Sequence, residues 1–334
     1  MLSGGQRVGP RGVPGAGPGR REVLANVPCV RALITGGRGF VGRWLAAHLR
    51  AQGDDVEIVD AEIDVTDADA IASAVARAAP DVLYHLAART HVGESWREPL
   101  EVLRVNALGT AAVLQAARAV GAGTTVLVVS SAEVYGSVAP EDLPLGEEVP
   151  LRPVTPYAAS KAAAEQVALQ AWRGYGQRVV VARPFNHVGP GQAETFAVPA
   201  LARRVLAARD AGTTELRVGT VTTRRDFTDV RDVVRAYRLL GERGAPGGVY
   251  NVCSGRAVAI LEVAQRLMAI CGVDLELVAD PELVRPVDVP VLVGDPERLR
   301  SATGWVPEVS LDGTLRAVVA ALEGGSAGSN GAWG

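Results

Sequence analysis

From about residue 30 onward, short apolar runs alternate with longer segments in which apolar residues recur at helical spacing. The short runs have the length of buried strands and are bounded by turn residues. Strands are predicted over residues 30–35, 56–60, 82–86, 125–130 and 179–183, and helices over residues 41–52, 67–79, 97–120 and 157–175. Strand–helix alternation of this kind predicts an α/β fold with a doubly wound parallel sheet.

After about Pro184 the pattern becomes mixed, with a loop predicted over residues 185–192. Helices are predicted over residues 197–211, 230–243, 261–271 and 311–322, and short strands over residues 216–218 and 249–252. We therefore assign residues 29–184, with part of 220–255, to a large domain, and residues 185–219 and 256–323 to a smaller mixed α/β lobe. The Gly- and Pro-rich residues 1–28 and the terminal residues 324–334 are predicted to be disordered tails.

Composition narrows the class of partner. The formal net charge is −3 and no long basic run occurs, which argues against nucleic acid and anionic membrane as partners. No apolar stretch is long enough to span a bilayer. Three cysteines without a C-x-x-C pair, and four histidines without metal spacing, predict neither a disulfide framework nor a metal site. These features favour a cytoplasmic protein that binds a small phosphorylated ligand.

A glycine-rich segment joins the first predicted strand to the first predicted helix. Gly36, Gly39 and Gly42 form a G-x-x-G-x-x-G pattern there. Such glycines permit a sharp turn, a close approach of backbone amides to a pyrophosphate, and tight packing of helix on strand. The pattern in this position predicts a Rossmann-like, dinucleotide-binding domain.

Asp60, at the end of the second predicted strand, is placed to accept hydrogen bonds from the adenosine ribose. An acid there repels a 2′-phosphate, so NAD(H) is favoured over NADP(H). NADP(H) stays possible because Arg38 or Arg43 can reach a 2′-phosphate. Asp64 is a candidate for the adenine edge, with a helix N-cap as the alternative.

The candidate chemistry lies on the predicted helix 157–175. Tyr157 and Lys161 are four residues apart and share one helix face. Lys161 is also the only lysine in a chain with 34 lysine and arginine residues. An ammonium group near a phenol is expected to lower the phenol pKa. Spacing alone fits an exposed helical pair equally well, but Ser131 follows a predicted strand at the sheet edge where such folds bind ligands, and it can share a proton with Tyr157.

Together these motifs resemble the extended short-chain dehydrogenase/reductase family over about residues 30–323. Segments 85–88 and 105–110 resemble its cofactor-side segments, and segments 183–192, 225–232, 285–290, 294–296 and 304–305 resemble those of GDP-mannose-type sugar-nucleotide enzymes. The resemblance implies cofactor contacts at Gly36, Gly39, Phe40, Val41, Gly42, Asp60, Asp64, Val65, Leu86, Ala87, Ala88, Asn106, Ser130, Tyr157, Lys161 and Pro184. It implies substrate contacts at Ser95, Ser131, Glu133, Asn186, Val198, Arg225, Arg285 and Asp288, with the two arginines on the diphosphate.

The resemblance implies reduction of the C4 keto group of a nucleotide-activated 4-keto-6-deoxy sugar. GDP-4-keto-6-deoxy-D-mannose is the expected substrate, and the product is the rhamno or the talo epimer. Ser131, Tyr157 and Lys161 are the expected catalytic residues. A 4,6-dehydratase needs a further acid–base group; Glu133 can supply it, although Ala132 stands where dehydratases carry a polar residue. The same motifs also fit a 4-epimerase with tightly held NAD and, more remotely, a non-catalytic dinucleotide-binding protein. The resemblance further implies a homodimer formed through helices 97–120 and 157–175.

Overall fold

The computed structural model describes residues 29–121, 123–283 and 289–326, together with Met1 and Gly4. Nearly all of the predicted tail 1–28, and the last eight residues of the predicted tail 324–334, lie outside the described residues. The first residues of the latter tail differ from the prediction, because the last helix continues to Ser326. In the part of the chain that is described, no helix is both long enough and apolar enough to cross a membrane.

The secondary structure elements follow the predicted alternation. The strands are β1 (Arg31–Thr35), β2 (Asp55–Val59), β3 (Val82–His85), β4 (Thr125–Val129), β5 (Val179–Pro184), β6 (Asn186–Val188), β7 (Glu215–Val218), β8 (Arg224–Asp229), β9 (Val249–Val252), β10 (Ala257–Ala259), β11 (Glu276–Ala279) and β12 (Val291–Leu292). The α-helices are α1 (Phe40–Ala51), α2 (Ala68–Ala78), α3 (Val92–Ser95), α4 (Pro99–Leu103), α5 (Gly109–Val120), α6 (Pro156–Tyr175), α7 (Ala197–Ala211), α8 (Val230–Arg243), α9 (Ile260–Cys271), α10 (Glu297–Thr303) and α11 (Leu311–Ser326).

Six strands form the main sheet in the order β2-β1-β3-β4-β5-β9, and all of them run parallel. The strands are apolar because helices cover both faces of the sheet. Helices α1, α8 and α10 pack on one face, and α2, α5 and α6 pack on the other. The carboxyl ends of β1, β3, β4 and β5 therefore meet at one edge of a doubly wound sheet, as the sequence pattern predicts.

The smaller lobe has its own core between α7, α9 and α11. Strands β6, β8, β10 and β12 form a mixed sheet, and β7 pairs with β11 in a second one. The segment predicted as a loop over residues 185–192 thus contains a strand, β6, because its backbone pairs in parallel with β8. Three residues are too short for a periodic signal, so this pairing is a tertiary feature.

Two further differences from the sequence-based division have clear causes. Helix α10 packs on the main sheet rather than in the smaller lobe, because Leu299 and Trp305 join the core around α8. The single helix predicted over residues 97–120 begins instead at Pro99, which suits the first turn of a helix, and a π turn at Arg104–Leu108 separates α4 from α5.

Candidate active site

The glycine-rich loop forms a tight turn between β1 and α1. Gly36 has a φ of +72°, and a Cβ atom on it would lie 2.8 Å from the backbone nitrogen of Ala87. A Cβ atom on Gly42 would lie 2.3 Å from the Gly36 carbonyl oxygen. Gly39 precedes α1 without a capping side chain, and the first turn, which includes Phe40 and Val41, carries no acid. The amide-rich, positive end of α1 is therefore open to a phosphate, and this loop fits a dinucleotide.

The end of β2 carries the group expected for the adenosine ribose. Asp60 follows the strand and accepts a hydrogen bond of 2.6 Å from the backbone nitrogen of Arg38. The Arg38 guanidinium forms an exposed ion pair with Glu62 at 2.7 Å. Asp60 is thus held beside the glycine loop, where a cofactor ribose would lie in this fold.

Asp64 caps a short turn rather than a helix. It accepts hydrogen bonds from the backbone and the hydroxyl of Thr66, and these bonds hold the pKa of its carboxyl below the usual value. The N-cap of α2 is Asp67, whose side chain accepts from two backbone amides. The helix-cap interpretation of Asp64 is therefore wrong. Val65, next to it, is buried against Gly109.

The loop after β3 borders the glycine turn. It contains Leu86, Ala87 and Ala88, and the amide of Leu86 donates to the Thr35 carbonyl at 3.1 Å. Asn106 lies within the π turn and is buried. Its side chain binds both the amide and the carbonyl of Arg89, and it donates to the Ser160 hydroxyl at 2.8 Å. Asn106 therefore anchors this loop to α6.

Helix α6 places the two candidate catalytic residues in its first two turns. Thr155 is the N-cap and accepts from the Ala158 amide at 3.0 Å, and Pro156 occupies the first helical position. Tyr157 and Lys161 follow on the buried face, with 8% and 5% of their surface exposed. The pair is therefore buried, and an exposed helical pair is excluded.

Ser131 lies at the carboxyl end of β4 and is hydrogen-bonded to the Tyr157 side chain. Its hydroxyl also accepts from the Glu133 amide at 3.2 Å, which begins a short 3₁₀ turn. Burial raises the pKa of Tyr157 to about 12; the Ser131 hydrogen bond opposes this shift and the nearby Glu133 charge adds to it. The expectation of a pKa below the usual value is therefore wrong for Tyr157, because desolvation of the phenolate outweighs the groups that favour its charged form. Tyr157 is an acid at neutral pH.

Lys161 reaches the same strand end. Its Nζ donates a hydrogen bond of 2.8 Å to the carbonyl of Val129, the last residue of β4. Burial lowers the pKa of Lys161 to about 8, and the negative charge of Glu165 opposes that change. The ammonium is therefore charged at neutral pH and becomes neutral under mildly alkaline conditions.

The predicted substrate residues fall into different environments. Asn186 lies on β6 and is partly buried, directly after Pro184 and Phe185 at the end of β5. The Arg225 guanidinium donates to the carbonyls of Arg224 and Val289. Arg285 and Asp288 lie outside the described residues.

Two predicted substrate residues are engaged by the protein itself. Ser95 is fully buried, and its hydroxyl donates to the Val92 carbonyl at 2.6 Å. Val198 packs in the core of the smaller lobe. Both side chains are buried among other protein atoms in this structure.

The sequence interpretation missed a buried ion pair next to this site. Glu165 lies one helical turn beyond Lys161, and Arg183 lies on β5; both of the glutamate's oxygens accept from the guanidinium, at 2.9 and 2.8 Å. The hydroxyl of Ser130 also donates to Glu165. The predicted cofactor residue Ser130 thus has its side chain turned toward α6. The i, i+4 spacing from Lys161 to Glu165 was the sequence signal that could have pointed to Glu165.

An open glycine turn, an acid after β2, and a buried Ser-Tyr-Lys group at the end of β4 define a nicotinamide-dependent short-chain dehydrogenase/reductase. A sequence model of the GDP-mannose 4,6 dehydratase family matches residues 60–318. The chain belongs to this family of NAD(P)-dependent sugar-nucleotide enzymes.

Individual relatives support the same assignment. The GDP-6-deoxy-D-mannose reductase of Pseudomonas aeruginosa is 40% identical over 296 residues, which cover 88% of this chain and 97% of that protein. The structure of RMD from Pseudomonas aeruginosa complexed with NADPH has a TM-score of 0.81 at 40% identity, covering 89% of this chain and 98% of that one. The UDP-glucose 4-epimerase of Thermus thermophilus, complexed with NAD, has a TM-score of 0.79 at 30% identity, covering 88% and 99%. Both dinucleotides therefore occur among the relatives.

Proposed function

We propose that the chain reduces the C4 keto group of a nucleotide-activated 4-keto-6-deoxy sugar, with GDP-4-keto-6-deoxy-D-mannose as substrate. The observation that carries the proposal is the buried Tyr157, which is hydrogen-bonded to Ser131 and protonated at neutral pH. A reduction needs an acid at this position, since the carbonyl oxygen gains a proton. The 40% identity to a GDP-6-deoxy-D-mannose reductase supports the same direction.

In this mechanism Ser131 donates a hydrogen bond to the C4 carbonyl oxygen and polarises it. The reduced nicotinamide, when bound, supplies the hydride that C4 receives. Tyr157 gives its proton to the oxygen as negative charge develops there, so that the product is an alcohol. The charged Lys161 ammonium stabilises the phenolate that remains, until Tyr157 takes a proton back from solvent. Asn186 and Arg225 would orient the sugar and its diphosphate.

The direct test is to incubate the purified protein with GDP-4-keto-6-deoxymannose and to follow NADH and NADPH oxidation by absorbance. The expected result is oxidation of one mole of cofactor for each mole of keto sugar consumed. Proton NMR of the product then distinguishes the rhamno from the talo epimer. Turnover of GDP-mannose without any cofactor oxidation would instead identify a dehydratase.

A dehydratase is the second candidate, because the family model is that of GDP-mannose 4,6 dehydratase and because Glu133 lies close enough to influence the pKa of Tyr157. A dehydratase and an epimerase both begin by oxidising C4, which requires a basic phenolate. NAD that remains bound through purification would favour an epimerase or a dehydratase, since a reductase exchanges its cofactor in every cycle.

The cofactor preference proposed from Asp60 is NAD(H). Asp60 accepts from the Arg38 amide, so its carboxylate is held at the expected ribose position. Two observations count against this preference. A structural relative binds NADPH. In this chain the Arg38 side chain, a candidate to bind a 2′-phosphate, lies close enough to the end of β2 to form an ion pair with Glu62. The ratio of kcat/KM for NADH and NADPH tests the preference, and a ratio below one would reverse it.

We also propose a homodimer formed through α5, α6 and the adjoining turns. Apolar side chains are exposed along this surface: Leu100 at 81%, Leu108 at 62% and Tyr175 at 59%. A shallow groove between α5 and α6 includes Tyr175, and its lining mixes apolar residues such as Ala111 and Val167 with the polar side chains of Gln115, Arg118, Gln170 and Gln177. Burial of such a face against a second copy removes apolar surface from water.

A further inference from the structure

A buried polar network lies behind the active site, between α6 and the main sheet. At its centre, Glu165 is fully buried and both of its carboxylate oxygens accept from Arg183. Ser130 donates a third hydrogen bond to the same carboxylate. A carboxylate held by three donors in the interior is fixed in position, because each alternative rotamer would leave donors unsatisfied.

The network continues from Arg183 to groups on the side away from Glu165. Arg183 also donates to the Tyr135 hydroxyl at 2.9 Å and to the Glu147 carbonyl at 3.0 Å. The Tyr135 hydroxyl in turn donates to the Asn251 side chain on β9 at 2.7 Å. Arg183 is therefore oriented from both sides, and the orientation of Glu165 is determined by the sheet rather than by α6 alone.

Two successive residues at the end of β4 are bound by two successive turns of α6. The Val129 carbonyl accepts from Lys161, and the Ser130 hydroxyl donates to Glu165. The next residue is Ser131, the hydrogen-bonding partner of Tyr157. These paired contacts set the register between the helix that carries the tyrosine and the lysine and the strand end that carries the serine.

We propose that Glu165, held by Arg183 and Ser130, is a positioning residue that keeps the buried Lys161 ammonium charged and in register with Ser131. This inference depends on the proposed function only for its kinetic consequences, since Glu165 acts on the ionisation of Lys161 even when no substrate is bound. Glu165 touches neither the sugar nor the reacting atoms in this scheme. It acts through Lys161.

The charged and titratable groups around Lys161 agree with this role. Tyr157 and Glu165 lie on the same helix, His85 faces it from β3, and Arg183 lies on β5 beyond Glu165. His85 is neutral, since burial lowers its pKa to about 3, and Tyr157 is protonated. Glu165 is therefore the anion that favours the charged form of Lys161, whose pKa is about 8. Its removal should make the lysine lose its proton at lower pH.

The single lysine makes this measurable directly. Selective labelling with ¹³C-lysine yields one lysine side-chain signal, whose chemical shift reports the ionisation of Lys161 as the pH changes. In Glu165→Gln we expect the titration midpoint to fall by about one pH unit or more. Glu262→Gln is the matched control, because Glu262 pairs with Arg266 in an exposed i, i+4 contact in the smaller lobe; its midpoint should equal that of the unchanged protein.

Glu165→Asp retains the negative charge but moves it farther from Lys161, because the side chain is shorter. The Lys161 titration midpoint of this variant should therefore lie between those of the unchanged protein and Glu165→Gln. If Glu165→Gln fails to fold, Glu165→Asp carries the test alone. An unchanged midpoint in a folded variant of either kind would overturn the proposal and leave Glu165 a purely structural residue.

The kinetic readout separates positioning from loss of structure. In Glu165→Gln the alkaline decline of kcat should move to lower pH, with the KM for the nucleotide sugar little changed and kcat recovering toward the normal value near pH 6. A parallel loss of activity at every pH would contradict the proposal. If the protein reduces no keto sugar, the NMR titration still decides the role of Glu165, so failure of the proposed function is recognised separately.

Discussion

Burial determines how the two proposed catalytic residues on α6 ionise. Tyr157 and Lys161 are both buried, and desolvation favours the neutral form of each: it raises the pKa of the tyrosine to about 12 and lowers that of the lysine to about 8. At neutral pH the tyrosine is therefore protonated and the lysine is charged. This combination suits donation of a proton to a substrate oxygen.

Replacement of Tyr157 by Phe removes the proton donor while keeping the aromatic ring. Turnover should fall by about 10²- to 10⁴-fold, the usual contribution of a general acid. Cofactor affinity, measured by fluorescence titration, should change little, because the glycine loop is untouched. Turnover close to that of the unchanged protein would mean that Tyr157 is not the proton donor.

A second residue-scale prediction concerns stability at acid pH. His85 is buried between the hydroxyls of Thr35 and Thr110, at 2.7 and 3.0 Å, and its pKa is lowered to about 3. Between about pH 6.5 and 3 the unfolded chain binds a proton at this position that the folded chain does not. Stability should therefore decrease as the pH falls through this window, by up to about 1.4 kcal/mol per pH unit.

Urea unfolding followed by tryptophan fluorescence from pH 4 to pH 7 measures this slope. His85→Gln keeps a polar side chain without the titrating group, so its stability should depend less steeply on pH than that of the unchanged protein. Identical slopes in the two proteins would rule out a neutral buried His85.

At the scale of elements, the strand–turn–helix unit β1–α1 depends on glycine at two points of close approach. Gly36 combines a positive φ with contact to the loop after β3, and Gly42 lets α1 pack against the turn itself. In both places a side chain would meet backbone atoms, which cannot rotate away. The shape of the phosphate-binding turn is thus a property of the whole unit.

Gly42→Ala should therefore weaken dinucleotide binding by at least about tenfold, since the turn must open to admit the methyl group. Isothermal titration with NADH and NADPH measures the affinity. Gly123→Ala is the matched control, because a Cβ atom there would have no heavy atom within 4 Å. Equal affinities in the two variants would show that the close approach at Gly42 is unimportant for the cofactor.

At the scale of the whole molecule, α6 has two faces with different tasks. Its buried face carries the proposed catalytic residues and Glu165, and its outer face, with Val167 and Tyr175, borders the groove next to α5. In a dimer, the helix that holds the active site would also be part of the interface. Association would then restrain the same helix that positions Tyr157.

Leu108→Glu places a charge in the exposed apolar surface and should convert the proposed dimer to a monomer, because the carboxylate would lose its water on association. Light scattering at micromolar concentration gives the mass. Val306→Glu, a similar change at an exposed apolar residue outside this surface, should leave the dimer intact. A monomeric unchanged protein would refute the dimer proposal altogether.

The local parts of this protein were predictable from its sequence. The alternation of strands and helices, the glycine turn, and the i, i+4 spacing of Tyr157 and Lys161 all depend on neighbouring residues, and periodicity reports them directly. The structure agrees with nearly all of these segments to within one or two residues. The position of Ser131 at a strand end followed from the same information, because parallel strands present their carboxyl ends at one edge.

Tertiary structure alone decided what depends on burial and on distant partners. The direction of the Tyr157 pKa shift was predicted wrongly, since spacing reports the neighbouring ammonium but not the loss of solvent. The Glu165–Arg183 pair joins a helix to a strand, and α10 lies on the main sheet because of Trp305. Sequence thus determined which groups are proposed to carry the chemistry, whereas packing determined their charge state, because solvation of a group depends on every element around it.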